Sequence, residues 1–152
     1  MDHDGCEFVT AISDQMPLAV DDACITPESI APGPPSRLKT TVLHNIRIRR
    51  LQSEIHHRLY MPSSRAPSHE WYVSALARLH EWRETMPEGT GFISPEWLNV
   101  NFHISMMMLH RPAPANPTPS LDELKLGFAS SAQVMRAYKH MHRTGRINFS
   151  EL

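Results

Sequence analysis

Ten histidines in a chain of 152 residues raise the question of a metal centre. The spacings that bind metal on helices are H-E-x-x-H, or paired E-x-x-H motifs with further glutamates on facing helices. A single E-x-x-H is present, Glu54 to His57, with no second copy to complete a dinuclear site. His103 and His110 are two turns apart on one helical face, and His140 and His142 point to different sides, so no metal site is expected. Nucleophilic catalysis has no better basis. There is no G-x-S-x-G elbow, and neither Cys6 nor Cys24 lies beside a histidine in a segment with regular patterning. The six glycines form no phosphate-binding loop, and Glu81 and Glu84 fall on an outward helix face. No catalytic residue and no cofactor are expected.

Two other stretches carry residues that could recognise something. Arg47-Ile48-Arg49-Arg50 is a basic run, expected as a solvated helix face, with a contact face for an anionic partner or a salt-bridged contact with the acidic N-terminal arm as the alternatives. No aromatics are interleaved with it, so direct reading of DNA is not expected. Met106, Met107 and Met108 lie about 100° apart around a helix and cannot all serve one surface. Methionine fills irregular core gaps and also suits adaptable grooves. Core packing is the ordinary expectation, and a groove for an effector or partner lined by Trp97, Phe102, Met106 and Tyr138 is the alternative.

Four helices must position these residues. In Leu38–Tyr60, Ile48, Leu51, Ile55 and Leu59 recur at three- and four-residue steps, with Val42 and Ile46 starting an adjacent stripe; Pro62 ends the run. A second helix follows Ser68, its apolar stripe Trp71, Ala75, Leu79 and Trp82, its stop at Pro87, Gly89 and Gly91. The third starts at Ser94-Pro95-Glu96, where serine caps, proline fits the first turn and glutamate favours the positive helix end. Trp97, Leu98, Phe102, Ser105, Met106 and Leu109 define its face, and Pro112 ends it. The fourth begins at Ser120-x-x-Glu123, a capping box. Leu121, Leu124, Phe128, Ala132, Met135, Tyr138 and Met141 give it an apolar stripe, expected to face the core, and Gly145 is its expected C′ residue. With no alternating strand pattern, the fold class is all-α, with about four amphipathic helices joined by proline-rich turns.

Before these helices, residues 1–36 hold seven acidic side chains and no Lys or Arg. With four prolines and a glycine in the twelve residues ITPESIAPGPPS, they read as a largely disordered acidic arm and linker. Residues 37–152 form the helical body, with fifteen basic against nine acidic residues. Isolated apolar residues of the arm (Phe8, Val9, Ile12, Met16, Leu18, Val20) are expected to dock on that body at most. No run of about 18 apolar residues spans a bilayer, and the acidic N-terminus lacks the pattern of a secretory signal. Two cysteines give no reason to infer disulfides.

The body resembles the later part of the fungal-specific transcription factor domain, the middle homology region of binuclear zinc-cluster regulators. RIRRLQSEIHHRLY is similar to that family's arginine-studded helix. WYVSALARLHEWRETMP resembles its L-x-x-W...P segment. WLNVNFHISMMMLHRPAPANPTPS resembles its helix ending in L-x-R-P, with Leu109, Arg111 and Pro112 at the signature and His103 at its histidine position. ASSAQVMRAYKHMHRTGRINFS resembles the helix that follows. The resemblance implies an all-helical, nuclear regulatory module of transcription that can bind a small-molecule effector; a partial domain should leave apolar helix faces uncovered, so a protein partner or self-association is expected. It also implies that Arg111 is a buried or half-buried ion-pairing and carbonyl-binding residue that fixes the turn. The family's zinc cluster needs six cysteines in close pairs; here Cys6 and Cys24 stand alone, so zinc and sequence-specific DNA binding are not expected. The earlier helices of the family's domain are absent, and the expectation is a truncated relative. The alternative is a small helical accessory protein or enzyme of a biosynthetic pathway, its pocket lined by Met106, Phe102, Trp97 and Tyr138.

Overall fold

A computed structural model of the chain describes residues 16–62, 65–88 and 93–146. Phe8, Val9, Ile12, Cys6, Gly89, Gly91 and the RINFSEL tail from Ile147 lie outside the described residues. The fold is all-α: α1 (Arg37–Tyr60), α2 (His69–Glu84), α3 (Pro95–His110) and α4 (Leu121–Arg143).

Local chemistry sets the helix ends. The Ser68 hydroxyl accepts from the Trp71 N–H at 3.2 Å and the Ser94 hydroxyl from the Trp97 N–H at 3.1 Å, so each satisfies an orphan donor of its first turn. At the start of α4 the box closes both ways. The Glu123 N–H donates to Ser120 Oγ, and the Ser120 N–H donates to Glu123 Oε2 at 2.7 Å. The end of α4 is a Schellman turn. The Gly145 N–H bonds the His142 carbonyl and the Arg146 N–H the Met141 carbonyl, with Gly145 at φ 68°, a conformation glycine adopts without penalty. Arg111, the residue before Pro112, is extended and stops α3.

α3 is the hub, packed against the other three helices. The core joins Ile48, Ile55 and Leu59 of α1, Ala75, Leu79 and Trp82 of α2, and Leu98, Phe102, Met106 and Leu109 of α3. These are the stripes that helical periodicity predicts for the first three helices. Across the α1–α3 seam runs a buried polar tie. Gln52 Nε2 donates to Ser105 Oγ at 3.1 Å and to the Asn101 carbonyl, while Ser105 Oγ donates to the same carbonyl. Gln52, Asn101 and Ser105 are all buried, so each bond replaces one otherwise lost to water.

α4 departs from expectation. Four of the seven residues of its expected stripe do not face the core: Leu121, Leu124, Phe128 and Met135 are 69%, 39%, 78% and 69% exposed, while Met141 is buried. The helix packs on α3 through Gly127, Ser130 and Met141 instead. Gly127 lies over the end of α3 at His110. A Cβ there would sit 3.5 Å from the His110 Cβ and 3.6 Å from the His110 carbonyl carbon. A Cβ at Gly127 would be in ordinary contact there, and the buried face of α4 is made of Gly127, Ser130 and Met141.

Within the arm, residues 16–36 lie against α1. They contain a 3-10 turn (Asp22–Cys24) and isolated bridges pairing Val20 with Pro35 and Ile25 with Ile30. Lys39 of α1 anchors them, its Nζ donating to the Val20 carbonyl and pairing with Asp22 at 2.6 Å.

Candidate interaction surfaces

The residues of the alternative groove reading are not brought together as one. Phe102 and Met106 are 2% and 6% exposed within the core, with Trp97 packed against them. Tyr138 belongs to α4 and lies outside that cluster. A side chain enclosed on all sides lines no open groove, so Phe102 and Met106 follow the core-packing expectation and not the alternative of an effector groove. Phe102 meets the His80 ring edge-on and lies under the Arg83 guanidinium, 4.6 Å from the ring centre.

The L-x-R-P end of α3 has a different architecture from the one the resemblance implies. Leu109 is core at 1% exposure. Arg111 is exposed and takes part in no ion pair among the described residues, which corrects the implied buried, ion-paired residue. Its guanidinium lies 4.8 Å over the Tyr60 ring and its Nε donates to the Tyr60 hydroxyl at 2.8 Å. That hydroxyl in turn donates to the Met108 carbonyl at 2.6 Å. The turn is fixed by arginine acting through a tyrosine of α1, and the Ala115 N–H bonding the Leu59 carbonyl holds its far side.

The basic run divides. On a helix, residues 47 and 50 are about 60° apart and residue 49 is nearly opposite residue 47. Arg49 accordingly turns away and donates to Gln52 Oε1 at 2.9 Å, extending the buried polar tie. Arg47 and Arg50 line a cleft of about 500 Å³ between α1 and α2, together with Leu51, Arg78, Glu81 and Trp82. Glu54 forms one wall of that cleft. It accepts hydrogen bonds from Nη1 and Nη2 of Arg78, at 2.7 and 2.8 Å, and from the Trp71 indole N–H at 2.7 Å. The Arg78 hydrogen bonds hold its carboxyl below the usual range against the opposing effect of burial. A carboxylate so engaged is a structural clasp between two helices, not a metal ligand or a base. Sequence reading misses this clasp, although Glu54 and Arg78 each stand next to a core residue, Ile55 and Leu79. Among the described residues, no three His, Cys, Asp or Glu side chains gather in metal-binding geometry.

The histidines fall into buried and solvated sets. His44 stacks on Trp82, ring centres 4.4 Å apart, and burial followed by the charge of Arg47 lowers its pKa to about 4. His103 and His110 are also lowered, mainly by burial. Both ring nitrogens of His110 and Nδ1 of His103 are buried without a hydrogen bond, so these two histidines pack as neutral rings.

A second apolar concavity of about 450 Å³ lies where the arm crosses α1, lined by Leu18, Val20, Ile25, Ile30, Val42 and Ile46 among others. On the regular elements, the outward stripe of α4 is the main uncovered apolar feature among the described residues. No helix among the described residues is long and apolar enough to cross a membrane. Searches of family models, curated proteins and solved structures return no match to the chain.

Proposed function

We propose that the chain is a regulatory module of transcription that works by protein contact, with α4 as its contact face. One observation carries this reading. Leu121, Leu124, Phe128 and Met135 form a continuous apolar stripe that the fold leaves in water, and such stripes mark interaction sites. The four segments resembling the fungal transcription factor domain supply the regulatory context, and nuclear localisation comes from that resemblance. The cleft holding Arg47 and Arg50 has the volume and charge for a small anionic effector. The alternative reading, a small helical accessory protein or enzyme, places its pocket at Trp97, Phe102, Met106 and Tyr138, of which Phe102 and Met106 are core residues.

The test is a reporter assay with the chain tethered to an unrelated DNA-binding domain in a fungal host. Wild type is expected to change reporter output at least about threefold, and Phe128→Glu is expected to abolish the change at equal protein level, because a hot-spot aromatic carries a large share of a contact. Unchanged output with wild type contradicts the proposal.

A further inference from the structure

The cleft between α1 and α2 holds two guanidinium groups that the fold does not use. Arg47 and Arg50 stand on adjacent turns of one face of α1, and neither makes a hydrogen bond or ion pair with the other described residues. The remaining polar groups of the cleft are largely engaged. Arg78 is held by both carboxylate oxygens of Glu54, and the Trp82 indole N–H donates to the His44 carbonyl. On the α2 wall, Glu81 is exposed and its carboxylate is unpaired among the described residues.

Size, lining and charge together select what fits. A volume of about 500 Å³ lies in the range of sites for small organic ligands and far exceeds what an inorganic anion fills. Leu51 and Trp82 supply apolar lining, and the arginine stems add methylene surface. Two unpaired guanidiniums against one unpaired carboxylate leave a single positive charge, so the second charge of a dianion would face Glu81 uncompensated. A carboxylate matches the guanidinium fork. The Glu54–Arg78 clasp and the Trp82–His44 bond tie the two walls together, so the cleft is formed in advance of binding.

We infer that this cleft binds a monocarboxylate with an apolar or aromatic body, the carboxylate on Arg47 and Arg50 and the body on Leu51 and Trp82. Glu81 sets the selection against dianions. This inference rests on reading the cleft as an anionic effector site and names the ligand class. No residue of α4 lines the cleft, so it is tested apart from the contact face.

The test is a nuclear magnetic resonance titration of the full chain at pH 7 with 2-naphthoate, 2-naphthyl phosphate and 2-naphthylmethanol. Naphthoate is expected to saturate with a Kd of about 1 mM, ordinary for a ligand of its size, and to shift the amide signals of Leu51 and Trp82. The phosphate and the alcohol are expected to bind at least about threefold more weakly. Arg47→Gln and Arg50→Gln, with unchanged circular dichroism spectra, are each expected to weaken naphthoate at least about fivefold, whereas Arg136→Gln on α4 leaves it unchanged. Glu81→Gln is expected to bring the phosphate to within about twofold of naphthoate. Tighter binding of the phosphate than of naphthoate by wild type overturns the monocarboxylate class and leaves an anionic site standing. Arginine variants that bind naphthoate as wild type does, or no saturation by either anion up to about 10 mM, remove both the class and the anionic site.

Discussion

Replacing Trp82 by alanine is expected to destabilise the fold by about 3–5 kcal/mol, the range for a large buried aromatic. Trp82 is 4% exposed and closes the α1–α2 seam in two ways. Its ring stacks on His44, and its indole N–H donates to the His44 carbonyl at 2.8 Å. The first contributes area and dispersion, and the second satisfies a donor that would otherwise be buried alone. Trp82→Phe separates them: it keeps most of the packing and is expected to cost about 1–2 kcal/mol. Urea unfolding followed by circular dichroism measures both. A loss below about 1 kcal/mol for the alanine variant would show that the seam is not built as described.

Acidification is expected to weaken the protein well before ordinary carboxylates titrate. The folded state holds His44 near pKa 4, against its ordinary 6.5. The unfolded chain therefore binds the proton first as pH falls. The stability that neutral His44 provides is fully present above about pH 6.5 and is lost progressively towards pH 4. A one-unit gap between folded and unfolded pKa is worth about 1.4 kcal/mol, so the loss is on the order of 3 kcal/mol by pH 4. That is a large share of the roughly 5–15 kcal/mol typical of a domain. His103 and His110 are lowered in the same direction and add to the slope. Glu54, whose carboxyl is lowered by Arg78, contributes only below its ordinary 4.5. Unfolding free energies at pH 7.5, 6, 5 and 4 are expected to fall steadily, with His44→Gln flattening the curve between 6.5 and 4. A flat profile in wild type over that interval would contradict the buried, neutral His44.

Much of the fold is legible in the sequence because it is encoded locally. Ser68, Ser94-Pro95, the Ser120–Glu123 box and Gly145 mark helix ends through bonds made within a few residues. The stripes of α1 to α3 follow from three- and four-residue spacing. What is not legible depends on partners far along the chain. Hydrophobic periodicity locates the stripe of α4 but not its direction. The face that packs on α3 carries Gly127, Ser130 and Met141, two of them small residues that a hydrophobic pattern does not mark. The tie of Gln52 to Ser105 and Asn101 is hidden because polar residues read as surface. Its signal is positional, Gln52 standing between Ile48 and Ile55 on one face, and Asn101 between Leu98 and Ser105. Arg49 separates from Arg47 and Arg50 by angle alone. Arg111 cannot be placed from the sequence, because the tyrosine it engages lies 51 residues earlier.

The proposed function turns on the α4 stripe being free surface and not core. Its most direct test is the unfolding free energy of the double variant Phe128→Glu, Met135→Glu in urea at neutral pH, at protein concentrations low enough to keep the chain monomeric. Side chains 78% and 69% exposed bury little on folding, so stability is predicted to stay within about 0.5 kcal/mol of wild type. A loss of more than about 2 kcal/mol, the scale of inserting charge into a packed interior, would place the stripe in the core and contradict the contact face on which the proposed function rests.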